Sequence, residues 1–213
     1  MTGVGIRHLI AEVERHVDRQ RLIEAMSDIP TIARGPKPVT ALKELGLQAE
    51  FTVPEPNTWR EVLVTVERVL GLGRKRVALQ EYGIANPELV TGLQRRGASV
   101  ETFSIYKWAL PEDIDPLRAA IKKISNGEAG VALFTNGAQV DHLFQVAIED
   151  DSEEELRRAL KKIVVGSVGP VCTEVLQQFG IEPDVVPEHP KMGSLIAAVA
   201  ASARAVLSRK TSR

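Results

Sequence analysis

Cysteine occurs once in the 213 residues, at Cys172, which excludes an internal disulfide framework and a metal site built from several thiolates. No run approaches the roughly 20 apolar residues that span a bilayer. The most apolar stretch, Ser194 to Leu207, is alanine-rich and interrupted by Arg204. The start, MTGVGIRHLIAEVERH, carries charges every few residues and has no signal-peptide core. Excess charge is missing too. Twenty-seven basic and 28 acidic residues leave a net charge of -1, so no global field draws the chain to nucleic acid or membrane. These absences predict a cytoplasmic protein with neither a membrane nor a nucleic-acid partner.

What remains is ordinary globular composition, 44% hydrophobic and 26% charged, which excludes wholesale disorder. The length suits one large domain or two of about 100 residues. An internal repeat favours two. IARGPKPVTALKELGLQAEFTVPEPN, from Ile32, aligns with VGSVGPVCTEVLQQFGIEPDVVPEHP, from Val165. Gly35 falls on Gly169, Pro36 on Pro170, Leu42 on Leu176 and Gly46 on Gly180, all at a spacing of 134 residues. A one-residue slip then brings Val53-Pro54-Glu55 onto Val186-Pro187-Glu188. Upstream, Gly3 falls on Gly137 and His8-Leu9 on His142-Leu143. A unit this long is not a solenoid repeat and reads as two domains of one fold. The second copy has a helical pattern, Asp113 to Glu128, and an apolar run, AGVALFT, before Gly137, whereas the first copy begins at the matching point. The expectation is a chain shortened at its N-terminus, with a strand and helix missing and a sheet edge left bare.

Short strand-like runs appear at Thr31 to Arg34, Glu50 to Val53, Arg76 to Gln80, Val100 to Ile105, Gly130 to Thr135, Ile163 to Gly166 and Asp184 to Val186. Helical patterns of about 10 to 15 residues mostly separate them. Pro87 sits where a helix would start and Gly97 where it would stop. This alternation predicts an α/β fold of parallel sheets with helices on both faces. Tyr106 to Pro116, with two prolines, is the expected crossing between domains.

Four strand-to-helix junctions share a composition: Thr2-Gly3-Val4-Gly5, Arg34-Gly35-Pro36-Lys37, Thr135-Asn136-Gly137-Ala138 and Ser167-Val168-Gly169-Pro170. At the carboxyl ends of strands such junctions line ligand sites, where glycine admits a close approach and the helix offers amides with partial positive charge. Carboxylates suit them even on a protein of net charge -1. The plain alternative is that glycine and proline simply start helices here. Neither a complete G-x-G-x-x-G nor a P-loop is present, which excludes the usual nucleotide fingerprints.

Histidines 8, 16, 142 and 189 are scattered. His8 and His16 are spaced to share a helix face, but no third ligand completes a metal site. Cys172 near a helix start reads as a small buried residue rather than a nucleophile. The charges from Asp150 to Lys162 read as a solvated helix face. Of the two tyrosines, Tyr106 ends a strand pattern at the crossing. There a phenol can hand a proton or hydrogen bond to a leaving group, or simply pack. Tyr82 lines the same region in a weaker reading.

The order and spacing of TGVGIRHLI, IARGPKPVTALKELG, RVALQEYG, LVTGLQRRGASVETFSIY, VALFTNGAQVDHLF, VGSVGPVCTEVLQQFG and PDVVPEHPKMGSLIAAV resemble uroporphyrinogen-III synthase over nearly the whole chain. The resemblance is closest to a divergent bacterial branch of that family that includes thermophile enzymes. It implies two flavodoxin-like α/β domains joined by a two-strand linker, with a cleft between them. Residues 1–105 would form the inner domain, lacking its first strand and helix, and 106–213 the returning domain, lacking its opening βα unit. It implies cyclisation of hydroxymethylbilane with inversion of the last pyrrole ring and loss of water, through a spiro-pyrrolenine intermediate. No metal or organic cofactor is implied, and a monomer is expected.

Carried over, Tyr106 matches the family's implicated tyrosine and would assist loss of the hydroxyl. Thr2, Gly3, Arg34, Gly35, Lys37, Tyr82, Thr135, Asn136, Gly137, Ser167, Gly169 and Thr173 would bind substrate. The chain departs from the family at Val171 and Cys172, where paired threonines are common, so Thr173 would substitute one step later. The alternative on the same scaffold is a catalytically inactive tetrapyrrole-binding or regulatory protein. An unrelated α/β solute- or nucleotide-binding protein is disfavoured by the absent phosphate motifs.

Overall fold

The computed structural model describes residues 2–81, 83 and 85–211. The chain divides into two compact units, Met1–Trp108 and Ala109–Arg213. The first contains helices α1 (Gly3–Val13), α2 (Arg19–Ser27), α3 (Pro36–Lys43), α4 (Trp59–Leu70) and α5 (Pro87–Arg95). Its strands are β1 (Ile32–Ala33), β2 (Phe51–Thr52), β3 (Arg76–Gln80) and β4 (Ser99–Phe103). The second contains α6 (Asp115–Ser125), β5 (Val131–Phe134), α7 (Gly137–Glu149), α8 (Glu153–Leu160), β6 (Val164–Ser167), α9 (Pro170–Gln178) and α10 (Met192–Thr211).

All described strand pairs are parallel, in three two-stranded sheets: β1–β2, β3–β4 and β5–β6. Strand β3 has the predicted limits, and the others shift or shorten by one or two residues. The expected strand at Asp184 to Val186 is reduced to one parallel bridge, Gly166 to Val185. The cause is local. The Asp184 carboxylate itself accepts the Val165 amide at 2.8 Å and the Lys210 ammonium at 2.6 Å, so a side chain takes a place in the ladder. Helix α1 ends at Val13 and Asp18 caps a new helix by accepting the Arg21 amide, so His8 and His16 do not share a helix.

Helix starts follow the sequence signals. Pro87 occupies the first turn of α5, Asn86 accepts the Leu89 amide at 2.7 Å, and Gly97 closes the helix with φ +90°. Helix α4 opens on a reciprocal capping box. The Thr58 hydroxyl accepts the Arg60 amide while Glu61 accepts the Thr58 amide at 2.8 Å and its hydroxyl at 2.5 Å. The charged helix α8 is amphipathic rather than wholly solvated, since Leu156, Ala159 and Leu160 are buried.

The second unit has one large core in which Phe144 is fully buried and stacks on Phe179, ring centroids 4.2 Å apart. Strand β6 is buried along its whole length. Because successive strand residues face opposite ways, Val165 enters that core while Val164 packs with Leu195 and Val199 of α10. The first unit splits its apolar residues between α1 and α3, around Ile6, Ile10 and Leu42, and the α4–α5 layer, around Leu63, Val66 and Leu93.

The sequence repeat has a backbone counterpart. The paired residues Ile32 and Phe51 correspond to the bridged Gly166 and Val185, and α3 and α9 begin at equivalent prolines. Gly46 and Gly180 both adopt left-handed φ, +75° and +71°, after those helices. Among the described residues no helix is long and apolar enough to cross a membrane.

Two stability outcomes follow from the α4 cap. Thr58→Ala should cost about 1 kcal/mol, read as a lowered urea midpoint at unchanged slope. Burial pushes the Glu61 carboxyl up, but the hydrogen bonds from Thr58 outweigh it and hold the group below the ordinary carboxylate range. A carboxyl lowered by folding stabilises the protein above its unfolded value, and that stability is lost as pH falls through the folded value. The Tm gap between the native chain and Glu61→Gln should therefore narrow on acidification below the ordinary carboxylate range.

Candidate functional site

Three of the four glycine junctions follow strands, and the fourth starts at Thr2, the first described residue. In the first unit, Thr2 is the N-cap of α1 and its hydroxyl accepts the Gly5 amide at 3.0 Å. Gly3 packs against the start of α3: a Cβ there would lie 2.7 Å from the Lys37 carbonyl oxygen. The first and second junctions are thus in contact. Gly35 is the N-cap of α3, in extended backbone and with no side-chain cap. Pro36 and Pro38 have no N–H, so Lys37 is the one residue among the first three of α3 that carries an amide hydrogen. The Lys37 side chain is exposed. Arg34 turns inward instead, donating from Nε to the Asn57 carbonyl at 2.7 Å.

The Tyr106 hydroxyl shares a 3.2 Å hydrogen bond with that of Thr2. Its ring is partly buried and meets Trp108 edge-on, centroids 6.4 Å apart. Gly83, at φ +72°, lies close to both rings: a Cβ there would fall 2.9 Å from the Tyr106 ring and 2.8 Å from Trp108. Tyr82 lies outside the described residues.

In the second unit, Asn136 caps α7 by accepting the Gln139 amide at 2.9 Å. Gln139 in turn accepts both the amide and the hydroxyl of Thr135, at 2.8 and 3.1 Å. Gly137 sits against α9, with a would-be Cβ 2.8 Å from Val175. Gly169 is the uncapped start of α9, and a Cβ there would meet Pro190 at 2.8 Å. Ser167 is fully buried: its hydroxyl donates to the Gly169 carbonyl at 3.1 Å and bonds the Thr173 hydroxyl at 2.9 Å. It braces the loop from within, and Thr173 is the more exposed of the two hydroxyls. The first-turn amides of Val171 and Cys172 have no capping side chain.

Each unit therefore groups its predicted residues around two adjoining helix N-termini, which carry partial positive charge without needing a cation. The sequence reading missed Gln80 and Gln139, the polar side chains that hold two of the N-terminal segments. The available signal at Gln80 was one amide at the end of the otherwise apolar run VAL. Among the described residues no group of three or more His, Cys, Asp or Glu is placed to hold a metal.

These features define an α/β protein whose two units repeat a glycine-built helix start. The family model described as Uroporphyrinogen-III synthase HemD matches residues 1–197, and the chain belongs to that family. It is 28% identical over 200 residues to the "Uncharacterized protein YjjA" of Bacillus subtilis, covering 93% of this chain and 73% of that protein. It is 32% identical over 168 residues to a putative uroporphyrinogen-III synthase of Methanothermobacter thermautotrophicus, covering 79% of this chain and 64% of that protein. Among solved structures it is similar to a mutant uroporphyrinogen III synthase of Thermus thermophilus, with TM-score 0.67, 29% identity and coverage of 96% of this chain and 76% of that one. The wild-type Thermus enzyme in another crystal form gives TM-score 0.51, 30% identity and coverage of 98% and 76%.

Cys172 tests the junction's packing directly. Burial pushes its thiol above the ordinary range, and the Sγ contacts the Phe134 carbonyl at 3.7 Å. A thiol disulfide reagent at neutral pH should leave Cys172 unmodified in the folded protein and modify it fully in denaturant. Rapid labelling of the native chain would contradict the buried placement.

Proposed function

We propose that this chain is a uroporphyrinogen-III synthase that cyclises hydroxymethylbilane, inverting the last pyrrole ring and releasing water. Its two units correspond, in this reading, to the two flavodoxin-like domains of the family, with the boundary near residues 105–106. The observation that carries the reading is the hydrogen bond between the Tyr106 and Thr2 hydroxyls at the N-terminus of α1. It sets a proton donor beside a helix start suited to carboxylates, which is what a carboxylate-rich substrate with a departing hydroxyl requires.

In this reading the helix-start junctions are the substrate contacts. Amides of Gly3, Lys37, Gly137 and Val171 would receive acetate and propionate groups, because at these positions the helix has no internal acceptor for them. Thr2, Thr135, Asn136 and Thr173 would add neutral hydrogen-bonding groups, and the exposed Lys37 ammonium a cation for a substrate carboxylate. Arg34, Gly35, Ser167 and Gly169 would shape the two loops, and Tyr82 would be a further substrate-binding residue. No cofactor takes part in this scheme.

Tyr106 would protonate the departing hydroxyl so that its carbon–oxygen bond breaks with release of water. The last ring then attacks through its substituted carbon to give the spiro-pyrrolenine. Rearrangement and closure follow, and the proton lost as the final pyrrole rearomatises restores the phenol. Much of the rate enhancement would come from holding a flexible linear tetrapyrrole in one folded form.

The test is to feed enzymatically generated hydroxymethylbilane to the protein and resolve the oxidised product isomers by chromatography. An excess of isomer III over the spontaneous isomer I is expected. Isomer I alone, from folded protein, would sink the catalytic reading and leave tetrapyrrole binding on this scaffold. Tyr106→Phe should lower kcat about 10²-fold with tetrapyrrole binding retained; unchanged turnover would remove Tyr106 as the acid.

A further inference from the structure

The first unit holds one polar side chain whose placement the proposed chemistry has not used. Gln80 ends β3, is only 4% exposed, and is one of few buried polar residues. Its Oε1 accepts the Thr2 amide at 3.3 Å, and its Nε2 donates to the Glu81 carbonyl at 3.4 Å. Helix α1 is shaped around this amide group: a Cβ at Gly5 would lie 1.5 Å from Nε2 and 2.6 Å from the amide carbon. Glycine inside a helix is less favourable than alanine by roughly 1 kcal/mol. Gly5 is compatible with α1 because its missing side chain is the space that Gln80 fills.

From Gln80 the contacts continue toward the phenol. Thr2 receives Gln80 on its backbone amide, caps α1 with its hydroxyl at Gly5, and meets the Tyr106 hydroxyl with the same oxygen. Thr2 has its backbone held at one side and its hydroxyl oriented at the other. A buried amide with few alternative partners is a stiff support, since breaking its hydrogen bond leaves a polar group unsatisfied.

We propose that Gln80 is a positioning residue for Tyr106, acting through Thr2 and through the space left open by Gly5. The proposal rests on the synthase reading for its consequence in turnover, but the positioning itself is measurable without catalysis.

Gln80→Met keeps the length and burial of the side chain and removes the acceptor. It should lower kcat about tenfold, the weight of one such hydrogen bond, with KM changed less than about twofold. Gly5→Ala should have the same effect, because the new methyl displaces the Gln80 amide, whereas Gln80→Glu retains the acceptor for Thr2 and should recover most of the turnover. In a Tyr106→Phe background Gln80→Met should lower kcat no further. An equal loss in that background would mean that Gln80 does not act through Tyr106, and would overturn the proposal.

A second measurement separates this from failure of the synthase reading. In a Tyr82→Phe background Tyr106 is the only tyrosine, and its ring carbon–proton signals can be followed by NMR in protein labelled on tyrosine. Gln80→Met and Gly5→Ala should both move those signals while the amide spectrum of the second unit stays unchanged. If the wild-type chain gives no isomer III and the Tyr106 signals still move, the synthase reading fails and the positioning stands. If the signals do not move in either folded variant, the positioning fails whatever the turnover.

Discussion

Close approach at the glycines that start helices is the constraint on which the rest of the molecule depends. At Gly3, Gly137 and Gly169 a single added carbon would fall within 2.7 to 2.8 Å of the neighbouring Lys37 carbonyl, Val175 or Pro190. Real carbon atoms do not approach so closely, so a side chain at any of them would push two helix starts apart or displace a loop. Those contacts bring α1 against α3 in the first unit and α7 against α9 in the second. Backbone amides at two helix ends are thereby brought near each other within each unit, and partial positive charge collects there on a nearly neutral protein.

The two units meet this constraint with different supporting chemistry. In the second, Ser167, Thr173 and the Gly169 carbonyl form a hydrogen-bonded chain, while Asn136 and Gln139 tie Thr135 to the first turn of α7. In the first, proline at two of three first-turn positions of α3 removes donors, and the support comes from Gln80, Thr2 and Tyr106. The repeat therefore preserves backbone geometry and lets the polar side chains diverge. The phenol belongs to the unit in which proline leaves fewer helix amides.

Family membership and local geometry bear on function in different ways. The match over residues 1–197 identifies the family. The chain spans 73% and 64% of the lengths of the two curated relatives. Local geometry supplies what identity near 30% does not: a tyrosine hydroxyl with a defined partner, and glycines whose replacement is sterically refused.

The amino-acid sequence by itself determined the α/β alternation, the repeat, the limits of β3, the proline and glycine signals that bound α5, and three of the four strand-to-helix junctions. All of these are local or periodic properties, set by turn chemistry, proline geometry and apolar spacing along the chain. The reduction of the predicted strand at Asp184 to one bridge was not legible, because it turns on the Asp184 carboxylate meeting the Val165 amide and the Lys210 ammonium, neither of them a neighbour in sequence. Nor was the end of α1 before His16, or the inward turn of Ser167. The meeting of Thr2, Gln80 and Tyr106 was decided only by tertiary structure. Gln80 and Tyr106 lie 78 and 104 positions from Thr2 along the chain, and the hydrogen bonds exist because the start of α1, the end of β3 and the segment after β4 converge. Spacing along a chain encodes which residues can share a face; it does not encode which distant faces will touch.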